Sequence, residues 1–470
     1  MKFIIPSLAI MLVCSTSPAQ NDSVKKLTGT SSAETSWHHL QARPSPDWLA
    51  EGFTYQIMPR SFSAEGTLKG AEAQLERLAD LGVSVVYLMP VNKADDDMDR
   101  SMWSPRQIKS GMNDPRNSYR PSDYFHTDPE YGTDNDLKDF VDKAHSFGMK
   151  VILDVVFAHC GPTSKLLRKH PDYFMHDQNG NVMKTQWNFP MLDHRNPATR
   201  AYFYSVMTYY VADFDIDGFR CDVADRIPMD FWEGAREVLD GFGKPLILGA
   251  EGSKPENNCF VFDVTYGRTL CKTVMHGLVA GKQKNIDKGG ADWIRKYHEY
   301  YRSRCPKGAL MWQMTENHDW ATDDFENRME KVYGHKREEL SLAFLFAIDG
   351  VPFIFNGQEI CYDKRLSMFG HGDLWIDWEK DSEPDYARDR SAKIKSWATM
   401  RKKYSSLAHG QTVWLDNDHP FEICSFLRHD GVSPDILFLG NYSSGKVTVT
   451  ISGGRRFTLN PWGYIFEPIE

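Results

Sequence analysis

The sequence predicts an α/β fold: a (β/α)8 barrel with a short insertion after strand 3 and a C-terminal antiparallel β-domain. Short apolar runs alternate with helical patterns eight times from residue 52 onward. These runs are apolar on both faces, as expected of parallel strands buried between layers. After about Ala408 the pattern changes to alternating strands separated by Asp-Gly, Ser-Gly and Gly-Gly turns, which indicates an all-β domain.

The predicted barrel elements follow one another along the chain. The first strand is GFTYQIM, the helix AEAQLERLADLG ends at Gly82, and VSVVYLMP is the second strand. A helix capped by Thr133 and ended by Gly148 precedes the third strand, MKVILDVVFAH. Helices then lead into the fourth and fifth strands, DGFRCD and PLILGAE. The sixth, seventh and eighth predicted strands are CFVFDV, ALMWQMTENHD and VPFIFNGQE.

These patterns predict the limits of the domains. The barrel is expected to comprise residues 47–159 and 196–407, with the insertion at 160–195 and the β-domain at 408–470. The insertion is longer than usual connections between a strand and its helix, so it should form a small lobe over the barrel mouth. Residues 20–46, rich in Ser, Thr and Pro, are predicted to be a flexible leader.

The N-terminus has the pattern of a signal peptide over residues 1–19. Lys2 is followed by an apolar stretch and then by Ser17-Pro18-Ala19, a small-residue cleavage site. The apolar stretch is too short to span a bilayer, and we predict no transmembrane segment elsewhere. The pattern therefore predicts export to the periplasm or the exterior, with lipid anchoring at Cys14 as the alternative.

Composition excludes several partners and sites. The net charge of −9 and the pI near 6.0 argue against nucleic acid or an anionic membrane as a partner. Eight cysteines become seven once Cys14 is removed, and they form no close-set disulfide framework. The acidic segment ADDDMDR, residues 94–100, lacks the spacing of a calcium loop and is predicted to be solvated surface. We assign no metal site from the sequence.

Charged side chains collect at the predicted carboxyl ends of the strands, where barrel enzymes carry their active sites. Period-two alternation in the fourth strand puts Arg220 and Asp222 on one face, close enough to pair. The other strand ends carry a further group of ionisable residues: Asp154, His159, Glu251, His318 and Asp319. Two carboxylates, one nucleophile and one acid/base, are what glycosidic cleavage requires.

The strand-end blocks DVVFAH, GFRCD, GAE and ENHD, with SYRPSDYFHTDPEYGT and GVPFIFNGQE, resemble the α-amylase superfamily of retaining glycoside hydrolases. The resemblance runs from about Trp48 to the C-terminus. It implies cleavage of α-glucosidic, mainly α-1,4, bonds in starch-derived glucans or maltooligosaccharides. The segment VADRIP after the fourth strand is closer to neopullulanase-like and maltooligosaccharide-acting branches than to enzymes of long starch.

The resemblance also implies roles for individual residues. Asp222 would be the nucleophile, Glu251 the acid/base, and Asp319 the group that binds sugar hydroxyls and stabilises the transition state. Arg220 would keep Asp222 ionised, because a neighbouring cation lowers a carboxylate pKa. The remaining expected substrate-binding residues are His159 and His318, which would bond sugar hydroxyls, Tyr119, which would stack under the sugar, and Asp154, which would order the rim.

One departure from the family's sequence pattern bears on calcium binding. The family's usual calcium-ligating Asn before His159 is replaced by Ala158, so a structural calcium ion has no assigned site. The chemistry requires no cofactor.

Two other functions stay open: an α-glucosyltransferase or isomerase on the same scaffold, and an inactive glucan-binding protein. Retention of Asp222, Glu251 and Asp319 argues against the inactive form.

Overall fold

Eight parallel strands close into a barrel in the order in which they occur along the chain. The computed structural model describes residues 36–267, 269–270, 275–323 and 328–469. The barrel strands are β1 (Thr54–Ile57), β2 (Val85–Leu88), β3 (Lys150–Val155), β4 (Gly218–Cys221), β5 (Ile247–Ala250), β6 (Val264–Tyr266), β7 (Leu310–Met314) and β8 (Val351–Phe355). β1 also pairs with β8, which closes the barrel and confirms the predicted fold class.

Strand register brings the polar residues of neighbouring strands level with one another. Arg220 on β4 pairs with Asp154 on β3 and with Gly249 on β5. A Cβ atom on Gly249 would lie 2.0 Å from Cη2 of Trp312, so glycine is required where this indole crosses the barrel. The barrel interior is therefore a packed aromatic core directly below the strand ends.

The helices surround the barrel and begin and end at recognisable signals. They are Asp47–Ala50, Pro59–Phe62, Leu68–Glu72, Leu75–Leu81, Pro105–Lys109, Asp134–Ser146, Lys165–Lys169, Pro197–Phe214, Met229–Asp240, Asn257–Phe260, His276–Val279, Gln283–Ile286, Asp292–Arg302, His318–Asp323, Met329–Tyr333, His335–Ala347, Trp378–Asp381, Asp385–Lys403 and Ser405–His409. Thr133 forms the predicted cap with a reciprocal bond to Asp136. Gly82 ends its helix with φ of 95°, a conformation that favours glycine.

The predicted sixth strand, CFVFDV, was placed too early. Asn257–Phe260 is helical, and β6 begins only at Val264. A short apolar run has no periodicity that separates a buried strand from a buried helical turn. The helix before β2 also differs from its prediction, since it is two shorter helices, Leu68–Glu72 and Leu75–Leu81.

Residues 160–195, after β3, are held together mainly by isolated bridges rather than by long strands. Phe174 pairs with Leu192, and Lys184 pairs with Pro190. One further bridge joins His159, in the segment that follows β3, to Met191. This segment therefore stays close to the carboxyl end of the barrel.

The C-terminal part consists of two antiparallel sheets. β9 (Gln411–Trp414), β10 (Ile423–His429), β11 (Asp435–Asn441) and β14 (Tyr464–Ile469) form one sheet, and β12 (Val447–Thr450) pairs with β13 (Arg456–Leu459). Asp349, just before β8, connects this sheet to the barrel: it accepts hydrogen bonds from His298 Nε2 at 2.5 Å and from Thr412 Oγ1 at 2.9 Å. The contact joins a barrel helix, a barrel loop and β9.

Residues 37–43, within the segment predicted as a leader, contact the barrel through the main chain. Trp37 donates to the carbonyl of Arg304, and Arg43 donates to that of Asn258, each at 2.9 Å. In the described part of the chain, no helix combines the length and the apolar character that crossing a bilayer requires.

Candidate active site

A pocket of about 270 Å³ opens at the carboxyl ends of the barrel strands. Its lining comes from the strand ends, the segment after β2, the insertion and the loop after β8: Ser104, Arg106, Asn117, Tyr119, His159, Trp187, Phe189, Asp222, Val223, Glu251, His318, Asp319, Met368 and Phe369. Six of the eight site residues predicted from the sequence line the pocket, and a seventh, Arg220, contacts Asp222 directly. The eighth, Asp154, lies immediately below.

Arg220 connects three carboxylates in an arrangement called here the Arg220 cluster: Arg220, Asp154, Asp222 and Glu251. Arg220 Nη1 donates to Asp154 Oδ1 at 2.7 Å and to Asp222 Oδ1 at 3.0 Å. Arg220 Nη2 lies 2.9 Å from Glu251 Oε2, an ion-pair contact without the alignment of a hydrogen bond. One fully buried cation therefore holds the carboxylates of three successive strands together.

The residue after Asp222 has an unusual backbone. Val223 has φ of 39°, in the left-handed region that β-branched residues rarely adopt, at a cost on the order of 1–3 kcal/mol. This turn lets the Val223 N–H donate to Glu251 Oε2 at 2.8 Å. The strained backbone at Val223 therefore helps to hold the Glu251 carboxyl group in place in the pocket.

Burial raises the pKa of Asp222 well above its usual range; Arg220 opposes this, while the charge of Glu251 adds to it. Burial also raises the pKa of Glu251, again against the opposing effect of Arg220. As expected from the sequence, Arg220 lowers the pKa of Asp222, but desolvation by burial acts more strongly in the opposite direction. The two carboxyls titrate as a pair, so the proton retained at higher pH belongs to the pair rather than to either group alone.

Asp154 lies beneath the pocket rather than on its surface. It is 1% exposed and accepts hydrogen bonds from Tyr87 Oη at 2.6 Å and Tyr119 Oη at 2.5 Å, in addition to those from Arg220. Tyr119 lines the pocket, and its ring stacks on that of His318 with centroids 5.1 Å apart. Asp154 therefore positions Arg220 and Tyr119 from below.

Two histidines line the pocket. His159 Nε2 donates to the carbonyl of Tyr119 at 2.9 Å, and within the described residues its Nδ1 has no hydrogen-bond partner. His318 Nδ1 lies 2.7 Å from Nε2 of Gln56, a residue of β1. Burial lowers the pKa of both histidines to about 4, so both are neutral near pH 7.

Asp319 has a further cationic partner, Arg106, outside the Arg220 cluster. Arg106 Nη1 donates to Asp319 Oδ1 at 2.9 Å. Burial raises the pKa of Asp319, but His318 in its protonated form, then Arg106 and Arg220, lower it, so that this pKa lies well below its usual range. Near pH 7 His318 is neutral, and the two arginines are the cations that stabilise the Asp319 carboxylate.

Residues in the pocket and beneath it escaped sequence analysis. Arg106 belongs to a long connection with no strand end nearby, so its local pattern carries no signal. Tyr87 and Tyr266 bond Asp154 and Arg220 through their hydroxyls, the latter at 3.2 Å from Arg220 Nε. A tyrosine in an otherwise aliphatic strand could have indicated this, since a buried hydroxyl usually finds a partner.

Two acidic groupings outside the pocket already have cationic partners. Asp95, predicted to be solvated, is fully buried: Arg120 Nη2 donates to its Oδ1 at 2.7 Å and Thr163 N to its Oδ2 at 2.7 Å. Because both oxygens are engaged by protein donors, the residues here do not fit a calcium ion. Glu330, His335 and Cys361 place ligand atoms within 4.8 Å of one another, but Glu330 is paired with Arg390 at 3.0 Å, which disfavours a metal cation there.

The family described as Alpha-amylase, Alpha amylase catalytic domain, matches residues 56–187 and 170–426. The chain is 25% identical to a cyclomaltodextrinase of Geobacillus thermopakistaniensis, over 92% of this chain and 79% of that protein. It is 23% identical to an intracellular maltogenic amylase of Bacillus subtilis, over 83% of this chain and 68% of the relative. The crystal structure of a noncanonic maltogenic α-amylase from Thermotoga neapolitana superposes with a TM-score of 0.74 at 26% identity, covering 90% of this chain and 97% of that one.

These comparisons contradict the predicted export. The Bacillus subtilis relative is named an intracellular enzyme, so the prediction of a periplasmic or extracellular protein is wrong by this finding. The predicted signal peptide over residues 1–19 and the alternative anchor Cys14 lie outside the described residues.

Proposed function

This chain belongs to the alpha-amylase catalytic-domain family of glycosidases, and on that premise we propose that it is a retaining glycoside hydrolase. Its substrates would be starch-derived glucans or maltooligosaccharides, cleaved at α-glucosidic, mainly α-1,4, bonds through a covalent glycosyl-enzyme. The observation that carries the proposal is the Arg220 cluster, in which one guanidinium joins the carboxylates of Asp222 and Glu251. Retaining enzymes need their two carboxyls about 5–5.5 Å apart, and a shared guanidinium supports such a short separation.

In the first step, a carboxylate oxygen of Asp222 attacks C1 of the bound glucosyl unit. Glu251 gives its proton to the glycosidic oxygen, so the C1–O bond breaks and the leaving sugar departs as a neutral alcohol. Burial raises the pKa of both carboxyls, and with one proton on the pair the hydrogen bond from Arg220 Nη1 favours the form in which Asp222 is ionised and Glu251 holds the proton when substrate binds. In the second step Glu251 removes a proton from water, which attacks C1 and frees Asp222.

The remaining pocket residues would bind the sugar in the position of cleavage. Asp319, ionised beside Arg106, would accept hydrogen bonds from ring hydroxyls and balance positive charge on the oxocarbenium-like transition state. Neutral His159 and His318 can each donate or accept a hydrogen bond without bringing in a competing cation. The Tyr119 ring, fixed by Asp154, would stack against the sugar.

We also propose the domain division drawn from the sequence: a barrel over 47–159 and 196–407, an insertion over 160–195 and a β-domain over 408–470. The bridges around Met191 and the two C-terminal sheets support it. We propose no structural calcium ion beside the insertion, since Asp95 is already bound by Arg120 and Thr163. Family members need no cofactor for catalysis.

The test is hydrolysis of maltotriose and maltopentaose by the wild type and by Asp222→Asn and Glu251→Gln. Each substitution should lower kcat/KM by at least about 10²–10⁴-fold. Glu256→Gln, a change of the same kind on the same loop but outside the pocket lining, is the matched control and should remain active. Near-wild-type activity of either pocket variant would contradict the assigned roles.

Product analysis separates the remaining alternatives. Proton NMR during the first minutes should show the α-anomer at the new reducing end, because two displacements preserve configuration. The β-anomer would exclude the covalent intermediate while leaving a hydrolase. Oligomers longer than the substrate, formed without net gain of reducing ends, would indicate the transferase instead.

A further inference from the structure

His318, which lines the pocket, is held by Gln56, a residue of β1 that is not part of the pocket lining. Gln56 is fully buried, and its side-chain amide contacts His318 twice. The main-chain N–H of His318 donates to Gln56 Oε1 at 3.2 Å, and Gln56 Nε2 lies 2.7 Å from His318 Nδ1. One amide group therefore fixes both the main chain and the imidazole ring of a pocket residue.

These two contacts fix the direction of each hydrogen bond. A main-chain N–H can only donate, so the atom of the Gln56 amide that faces it must be the oxygen. The amide NH2 group then faces His318 Nδ1, and because this group can only donate, Nδ1 has to accept. Burial lowers the pKa of His318 to about 4, so the ring is neutral near pH 7 and carries one proton. That proton is therefore on Nε2.

The protonated nitrogen of His318 lies near the carboxylate of Asp319. Nε2 is 3.7 Å from Asp319 Oδ1, which is too long for a direct hydrogen bond. Both residues line the pocket, and Asp319 is ionised beside Arg106. A hydroxyl group accepts and donates at the same oxygen, so it can accept from Nε2–H and donate to the carboxylate. The two side chains together suit a hydroxyl of a sugar.

From these contacts we propose that Gln56 is a positioning residue: it fixes His318 in the tautomer with the proton on Nε2, so that His318 donates to a hydroxyl of the bound sugar. The sugar in this inference rests on the function proposed above. In the other tautomer, Nδ1–H would face the NH2 group of Gln56, and Nε2 would be a second acceptor beside the Asp319 carboxylate. A hydroxyl has one proton to donate, so two acceptors bind it less well than a donor and an acceptor do.

His159 provides a reference within the same pocket. Its Nε2 faces the main-chain carbonyl of Tyr119 at 2.9 Å, and because a carbonyl only accepts, the proton of His159 is also on Nε2. Burial lowers the pKa of His159 to about 4, so this ring is neutral as well. The two histidines have the same expected tautomer, but a carbonyl fixes one and Gln56 fixes the other. A change at Gln56 should therefore affect His318 alone.

The first experiment measures the tautomer of each ring. Two-bond hydrogen–nitrogen NMR correlation spectra of the full chain with isotope-labelled histidine distinguish protonated from unprotonated ring nitrogens near neutral pH. The signals are assigned by their loss in His318→Gln and His159→Gln. Wild-type His318 should show a protonated Nε2 and an unprotonated Nδ1. Gln56→Met removes the amide, so the His318 nitrogens should shift toward the values of mixed tautomers, while those of His159 should not move.

The second experiment tests whether Gln56 acts through His318. Gln56→Met should lower kcat/KM for maltopentaose by about 10–10²-fold, because a binding group is displaced. In the His318→Gln background the same substitution should have less than about a twofold effect, since the ring that it positions is gone. Gln313→Met is the matched control: Gln313 is a buried glutamine of β7, outside the pocket lining, and donates to the carbonyl of Asp349 at 3.0 Å. Its kcat/KM should equal that of the wild type.

A proton on Nδ1 of wild-type His318 would overturn the tautomer assignment, and this measurement does not depend on how any Gln56 variant folds. Unchanged His318 signals in Gln56→Met would overturn the role of Gln56. An equal loss of kcat/KM from Gln56→Met with and without the His318 ring would overturn that role too. If wild-type His318 has the expected tautomer but maltopentaose is not hydrolysed, the proposed function fails and the positioning of His318 stands.

Discussion

Replacing Asp154 by asparagine tests whether Asp222 and Glu251, the carboxyls proposed to be catalytic, depend on a residue beneath the pocket. Asp154 accepts two hydrogen bonds from Arg220 Nη1, at 2.7 and 2.9 Å, and one each from Tyr87 and Tyr119. Asparagine removes the negative charge and turns one acceptor into a donor that faces other donors. Breaking a buried ion pair from one side costs about 3–5 kcal/mol, so we expect a stability loss in that range.

The same substitution should move the pH profile. Glu251 has its pKa raised by burial above all, and the charge of Asp154 contributes in the same direction. Without that charge, Arg220 stabilises the ionised form of Glu251 more strongly, and the pKa of Glu251 falls. Because kcat/KM declines as the acid loses its proton, the alkaline limb should move to lower pH by about 1 unit. Release of Tyr119 should lower kcat by about 10²-fold.

The assays are urea unfolding and kcat/KM between pH 4 and 9 on a maltooligosaccharide. Tyr87→Phe is the control, since it removes one hydrogen bond to Asp154 and no charge. It should cost about 1–3 kcal/mol and leave the alkaline limb in place. An Asp154→Asn enzyme with the wild-type alkaline limb would refute the electrostatic reasoning. A limb moved to higher pH would show that its sign is wrong.

Two further predictions concern stability. Gly249→Ala forces a methyl group onto Trp312 and should destabilise the barrel by about 1–3 kcal/mol in urea unfolding. Gly445→Ala should stay near wild type, because the added carbon would meet only Ser443 Oγ, at 3.9 Å. Asp349→Ala should lower the free energy of unfolding by about 3–5 kcal/mol. Burial raises the pKa of Asp349, but His298, Arg302 and Arg428 lower it more strongly, so this pKa lies well below its usual range. That contribution is present above about pH 4 and is lost as pH falls, so a wild-type-to-variant difference that stays constant down to pH 2 would contradict it.

The parts of the molecule that follow local rules could be predicted from the sequence. Thr133 caps its helix, and Arg220 and Asp222 share a face of β4 because side chains alternate along a strand. The fold class followed from such rules and is confirmed by the closed barrel. β6 was misplaced because its apolar run is too short to show a period.

Contacts between distant segments could not be predicted in this way. Arg106 meets Asp319 across 213 residues, and Asp95 is buried by Arg120 only because two loops fold together. The pKa of Asp222 likewise depends on how much protein covers it, which no strand pattern states. Interactions of this kind follow from tertiary packing, and the isolated sequence around each residue looks like ordinary solvated loop or strand.

Tyr87 and Tyr266 serve two purposes at once. Their rings pack against the Trp312 indole in the barrel interior, with centroids 6.3 and 5.9 Å away, while their hydroxyls bond Asp154 and Arg220. The floor of the pocket at the strand ends and the hydrophobic core are consequently the same layer of side chains. Substitutions that repack this interior to raise thermal stability also move Asp154 and Arg220. Thermal stability and turnover in this enzyme therefore cannot be selected independently.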